Sequence, residues 1–71
     1  MGKIEVKLKE ERLKNELSQQ QLADKVGCSI SNIQKIEQNR ARSIPFDLLS
    51  KLCFACNCEP GDLLKINKEG K

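Results

Sequence analysis

A chain of 71 residues with 38% hydrophobic and 32% charged side chains has the composition of a folded domain, near the lower size at which a hydrophobic core alone holds a fold together. That leaves little material for an active-site cleft, and no apolar run approaches the ~20 residues of a membrane span. The net charge of +3 is modest but uneven: Lys25, Lys35, Arg40 and Arg42 face only Glu37 between Lys25 and Pro45, whereas Asp47, Glu59 and Asp62 outnumber Lys51 between Phe46 and Leu64.

Met1 to Glu10 alternates charge with aliphatics and shows no signal-peptide core, so a cytoplasmic protein with reduced thiols is expected. Ile4, Val6 and Leu8 alternate with Glu5 and Lys7, which predicts a short strand before helical spacing takes over at Leu8, Arg12 and Leu13. Ser18 followed by Gln21 is a capping-box pattern, and Gly27 is a cheap left-handed stop, so a second helix is predicted from about Gln19 to Val26. Ser29 can cap a third helix ending near Gln38 and Asn39. In that helix Ile33 and Ile36 point inward with Glu37 beside them, while Ser31, Gln34, Lys35 and Gln38 face out.

Past a basic loop, Pro45 suits the first turn of a helix whose core stripe is Leu49, Leu52, Cys53 and Cys56, closed by Asn57. A last short helix begins at Pro60, buries Leu63 and Leu64, and passes into Lys65 and Ile66, which can pair with Ile4 to Val6. The expected architecture is all-α, five helices with a short two-stranded β ribbon joining the termini. One domain spans residues 4–66, with flexible ends at 1–3 and 67–71.

Two helices joined by a tight glycine turn, the second turning hydrogen-bonding side chains outward, fit the major groove of DNA. Asn32 and Gln34 carry amides that pair bidentately with adenine, Lys35 reaches guanine O6 and N7, and Ser31 donates or accepts at several edges. A polar stripe alone is more simply a solvated helix face. The capped helix before it and the tight turn favour DNA readout instead. Lys35, Arg40 and Arg42 would serve solubility if scattered, but beside this face they favour phosphate contact.

Cys53 and Cys56 have the spacing of zinc ligands, and Cys28 would complete a set of four thiolates. Both lie on the apolar stripe of their helix, where cysteine acts as a small buried hydrophobe, and no second CxxC or histidine pair exists. No metal or cofactor is expected. With no histidine to activate a thiol, no paired acid and base, and no phosphate-cradling glycine loop, the chain is expected not to be an enzyme.

The run Leu17-Ser18-Gln19-Gln20-Gln21-Leu22-Ala23-Asp24-Lys25-Val26-Gly27-Cys28-Ser29, continued by Ile33, Lys35, Ile36 and Glu37, resembles the phage-repressor and Cro-type helix-turn-helix domains. The likeness covers about Lys7 to Leu64, and the ending from Leu52 to Leu64 is similar to short stand-alone regulators of that family. It implies a five-helix, lambda-repressor-like fold and a sequence-specific transcriptional regulator, a repressor in most such cases. By the same resemblance Gln19 grips a phosphate, Ile30, Ser31, Gln34 and Lys35 face base edges, and Asn39, Arg40 and Arg42 contact backbone phosphates. The outward Gln38 is placed with the phosphate contacts. Arg12 and Glu37 fall where the family pairs an arginine of helix one with a glutamate of helix three. The family's usual glycines are replaced by Asn39 and, before Leu17, by Glu16, and a polar residue is usual at Ile30.

Phe54, opposite the core stripe of its helix, together with Leu48 offers a contact for a homodimer reading two half-sites. Double-stranded DNA and a second copy are therefore the expected partners, with no membrane and no small-molecule effector. The competing reading is an antitoxin-like interaction module that binds DNA only secondarily. It would need a partner-binding segment beyond the domain.

Overall fold

The computed structural model describes residues 3–67, and its elements follow the polar and apolar punctuation of the chain. They are β1 (Lys3–Val6), α1 (Leu8–Lys14), α2 (Gln19–Val26), α3 (Ile30–Glu37), α4 (Phe46–Cys56), α5 (Pro60–Leu63) and β2 (Leu64–Asn67). The two strands form an antiparallel ribbon with Ile4 opposite Ile66 and Val6 opposite Leu64. Lys3 and Asn67, expected in flexible ends, form the outermost pair of that ladder, because strand pairing uses backbone groups that their polar side chains do not disturb. The rest of the expected loose ends, 1–2 and 68–71, lies outside the described residues.

Each helix start has a visible cause. Ser18 Oγ accepts from the Gln21 amide at 3.0 Å while Gln21 Oε1 accepts from the Ser18 amide at 2.8 Å, the reciprocal pair that opens α2. Ser29 Oγ accepts from the Asn32 amide at 3.1 Å and opens α3. Pro45 stands just before the first residue of α4, and Pro60 supplies a preset φ at the first turn of α5. That last helix is shorter than expected: Leu63 is buried, but Leu64 has already turned extended and is half-buried as the first residue of β2.

The helices close over one core of Leu8 from α1, Leu22, Ala23 and Val26 from α2, Ile33 and Ile36 from α3, Leu52, Cys53 and Cys56 from α4, and Leu63 from α5. Leu49, expected in the stripe of α4, is only half-buried at its edge. Long-range hydrogen bonds tie this core to the chain ends. Asn15 Nδ2 donates to Cys56 O at 2.7 Å, satisfying a carbonyl at the end of α4, and the Lys7 amide donates to Leu63 O at 2.7 Å.

Four described residues adopt left-handed backbone: Gly27 (φ 73°), Glu16 (φ 56°), Asn39 (φ 61°) and Asn57 (φ 54°). Asparagine tolerates this region and glycine enters it freely, but glutamate pays a steric penalty between its Cβ and the backbone. Glu16→Gly is therefore expected to stabilise the fold by about 0.5–1 kcal/mol after the extra entropy of an unfolded glycine is subtracted. Asn39→Gly relieves less strain, because asparagine tolerates this region, and removes the side chain that accepts from the Val6 amide at 2.7 Å, so no gain is expected there. Thermal melts of the two variants check the contrast.

The cysteines fill space. Asn57 ends α4 and lets the Cys58 amide donate to Cys53 O at 3.0 Å, which folds the half-buried Cys58 back toward Cys53. Burial pushes all three thiols of this region up, Cys58 from an ordinary 9.0 to about 12, with neighbouring cysteines and Glu11 adding to the effect. At pH 8, Cys58 then holds about a thousandth of the thiolate of an ordinary cysteine. Iodoacetamide is expected to modify Cys58 in the native chain only slowly, and rapidly once the chain is denatured. Equal rates in both states would show that this packing is wrong. Because burial disfavours the thiolate and the folded thiol titrates above its unfolded value, the fold keeps its full stability below pH 9 and loses part of it as pH rises toward 12.

Candidate nucleic-acid interface

The three-residue turn Gly27-Cys28-Ser29 sets α3 across α2, and the hydrogen bonds that the Gly27 amide (2.8 Å) and the Cys28 amide (3.1 Å) donate to Ala23 O close the end of α2. With Ile33 and Ile36 fully committed to the core, helical geometry turns Ser31, Gln34, Lys35 and Gln38 to one outer face. Ser31, Lys35 and Gln38 are exposed, while Gln34 is half-buried. Asn32 lies on the flank of this face and is half-buried. Ile30 is half-buried against the core, so it roofs the core with only its rim left to solvent.

Gln34 is half-buried because it is held. Its Nε2 donates to Gln19 Oε1 at 3.3 Å, and Gln19 Nε2 donates in turn to Glu37 Oε1 at 3.0 Å. Glu37 is anchored by Arg12, whose Nε reaches Oε2 at 2.5 Å and whose Nη2 reaches Oε1 at 3.2 Å. Arg12 Nη1 also donates to Leu17 O at 2.8 Å, across the turn between α1 and α2. Side chains from three helices thus form one relay running from a desolvated ion pair, 8% and 4% exposed, out to the surface of α3. The expected pairing of Arg12 with Glu37 is present. That Gln19 and Gln34 would be linked to it was not visible in the sequence, because the contact depends on how α2 and α3 cross.

The relay also orients the amides. Since Gln19 donates to a carboxylate, its oxygen must face Gln34, and Gln34 must turn its nitrogen inward. That leaves Gln34 Oε1 and one of its two N–H groups for a ligand, the donor and acceptor pair that adenine presents in the major groove.

Beyond α3 the loop carries the cations. Arg40 Nε donates to Gln38 Oε1 at 2.8 Å, which holds it beside the outer face, and Arg42 is exposed. Asn39 is placed differently from what its neighbours suggest. Its side chain faces β1, accepting from the Val6 amide and donating to Val6 O at 3.5 Å, while its own amide donates to Ile36 O at 3.1 Å. Asn39 thus fastens the loop to the ribbon. The sequence hint lay in its departure from the family's glycine, which an asparagine can replace at positive φ while adding two hydrogen bonds.

Leu48 does not join Phe54 at the surface. It is half-buried and packs on the core, six residues from Phe54 and round the other side of α4. The exposed companion of Phe54 is Phe46, 87% exposed against 86%, a residue to which the sequence reading gave no role. Among the described residues no helix is long and apolar enough to cross a membrane, and no group of three or more His, Cys, Asp or Glu side chains is placed to hold a metal ion.

This architecture has counterparts among known proteins. Residues 7–69 match the family model described as Cro/C1-type HTH DNA-binding domain. The uncharacterized HTH-type transcriptional regulator YozG of Bacillus subtilis (strain 168) is 29% identical over 56 residues, covering 79% of this chain and 67% of that protein. Two solved structures share the fold. A chain of the SinR protein/SinI protein complex superposes with a TM-score of 0.72 at 24% identity over 78% of this chain, which spans about half (53%) of that one. The transcriptional regulator VanUg superposes with a TM-score of 0.73 at 20% identity, covering 96% of this chain and 89% of that one. The family match covers all five helices, the α2-turn-α3 unit among them, so this chain belongs to the Cro/C1-type helix-turn-helix DNA-binding domains.

Proposed function

We propose that this protein is a sequence-specific repressor that occupies operator DNA in the cytoplasm as a homodimer, with α3 of each copy in the major groove of one half-site. It acts by occupancy, without a chemical step, cofactor or small-molecule effector. Ser31, Gln34 and Lys35 read base edges, Asn32 serves at the flank, and Ile30 offers its rim to a thymine methyl. Gln19, Gln38, Arg40 and Arg42 hold phosphates, while Asn39 keeps the loop that carries the two arginines in place. The observation that carries this reading is the anchored Gln34: an amide on the outer face of α3 fixed by Gln19, itself fixed by a buried carboxylate. A solvated helix face has no use for such anchoring.

Phosphate contacts make binding fall steeply with salt, by about 0.9 in log-log slope for each phosphate neutralised on duplex DNA. Arg42→Ala is therefore expected to weaken binding to all sequences alike and to reduce the slope by about 0.9 per half-site. Fluorescence anisotropy on a labelled duplex over a salt series measures this. A slope unchanged by the substitution would remove Arg42 from the phosphate contacts, and no binding at low salt would contradict the reading as a whole.

A further inference from the structure

Three of the four cysteines crowd into the end of α4 and the turn that follows it, and the DNA reading gives them nothing to do. Cys56 is 1% exposed and belongs to the core. Cys53 and Cys58 are placed differently. The left-handed Asn57 folds the chain back, so that the Cys58 amide donates to Cys53 O at 3.0 Å and the Asn57 amide to Phe54 O at 3.3 Å. This pair of bonds is the Schellman closure, which sets the residue after the left-handed one against the side chain five positions before it. Here both are thiols, and a side-chain hydrogen bond joins them. The two sulfurs also share an outlet, because both residues line a groove of about 550 Å³ walled by Leu49, Phe54 and Pro60. That volume falls in the range of small-molecule sites.

We propose that Cys53 and Cys58 form a dithiol site for a monosubstituted trivalent arsenical, with both sulfurs bonded to one arsenic atom and its organic group lying in the groove. The site is separate from the operator contact, since α4, α5 and the turn between them supply no base or phosphate contact in the reading above.

The number of sulfurs selects this class. Two thiols satisfy a centre with two exchangeable positions, whereas a structural zinc ion takes four ligands and unsubstituted arsenite takes three sulfurs. Among the described residues no group of three or more His, Cys, Asp or Glu side chains is placed to supply a larger set. The protons on the sulfurs select it too. Burial, the neighbouring cysteines and the Glu11 and Asp62 carboxylates push the Cys58 thiol up to about 12, and burial raises Cys53 as well. A bare cation would have to expel both protons into solvent against that bias. An arsenical in its dihydroxy form brings its own proton acceptors. Each S–H proton passes to an arsenic-bound hydroxyl, which leaves as water, while an As–S bond replaces an As–O bond. Two thiols and one arsenical thus give one cyclic adduct and two waters, with arsenic(III) unchanged in oxidation state. The product is uncharged, as an apolar groove requires. An aryl substituent has the Phe54 ring, Leu49 and Pro60 to lie against.

Phenylarsine oxide, which hydrates to the dihydroxy form, is the probe. Native mass spectrometry and thermal melts of the reduced chain under argon, with wild type, Cys58→Ala, Cys53→Ala and Cys56→Ala, test the proposal. The wild type is expected to take one phenylarsenic group per chain and to melt at a higher temperature, the rise levelling off at one equivalent. Bonding through both sulfurs makes the second bond intramolecular, so Cys58→Ala should bind at least about a hundredfold more weakly. Cys53→Ala should do the same, while Cys56→Ala keeps the wild-type adduct. Circular dichroism checks that each variant keeps its helix content. If Cys53→Ala unfolds, Cys58→Ala decides alone, since that side chain is only half-buried. A wild type that takes no arsenical overturns the proposal. So does an adduct that Cys58→Ala leaves intact, whichever other sulfur then holds it. A melt raised as far by Zn²⁺ as by the arsenical overturns the choice of ligand. Every readout is made without DNA, so failure of the operator reading leaves the result untouched.

Discussion

Glu37→Ala is expected to destabilise the fold by about 3–5 kcal/mol, because it leaves the Arg12 guanidinium buried without its counter-charge. At about 0.05–0.15 kcal/mol per residue, a domain of this size holds only some 4–10 kcal/mol in total, so the variant should be largely unfolded or on the edge of it at 37 °C. The cost lies in the orphaned charge and not in the loss of a favourable pair, since the attraction between Arg12 and Glu37 largely offsets their own desolvation. Replacing both by apolar residues of similar volume, Arg12→Met with Glu37→Leu, should therefore restore stability to near that of the wild type. Urea denaturation of the single and double variants measures both effects. The restored double variant separates folding from function. It has no carboxylate for Gln19, so Gln34 loses its anchor and DNA affinity should remain reduced although the fold has recovered. A double variant as unstable as the single one would show that the ion pair is a net source of stability.

Gln34→Ala carries the second large effect. A bidentate amide contact is worth about 1–3 kcal/mol of discrimination against the wrong base, equivalent to roughly 5- to 150-fold in relative affinity. The variant should lose that preference at one base pair of each half-site while keeping affinity for the other sequences and the salt slope of the wild type, since no charge is removed. Gln19→Ala should show a weaker version of the same relaxation, because it releases Gln34 without removing it. Competition binding against single-base operator variants distinguishes the two. A uniform loss across all sequences after Gln34→Ala would place that residue on the phosphate backbone and not in the groove.

Much of this fold was legible in the residues because its boundaries are set locally. Ser18 with Gln21, Ser29, Gly27, Asn57 and Pro60 each act within one turn of a helix end, so the extents of α2 and α3 could be read from short-range chemistry. The ribbon was legible for the same reason, from the alternation at Ile4 to Val6. Contacts between distant segments were not. Asn39 meets Val6 across 33 positions and Asn15 meets Cys56 across 41, and nothing in the neighbourhood of either asparagine marks its partner. Helix α4 shows a different limit. It is apolar at Phe46, Leu48, Leu49, Leu52, Cys53, Phe54, Ala55 and Cys56, a wider arc than one helix can bury here, so periodicity alone could not tell that Leu48 packs inward while Phe46 stays out. At the DNA face the residue types and their side of α3 were readable, whereas the relay that orients Gln34 needed the crossing of α2 and α3.

The central claim, that α3 reads base sequence from a scaffold built on the Arg12–Glu37 pair, is tested most directly by selecting bound duplexes from a random pool at two salt concentrations. The account predicts enrichment of a defined half-site, repeated about one helical turn apart, that persists at the higher salt and loses its constraint at one position when Gln34→Ala is used instead of the wild type. Recovery of an unenriched pool at both salts, from protein shown to be folded, would contradict it.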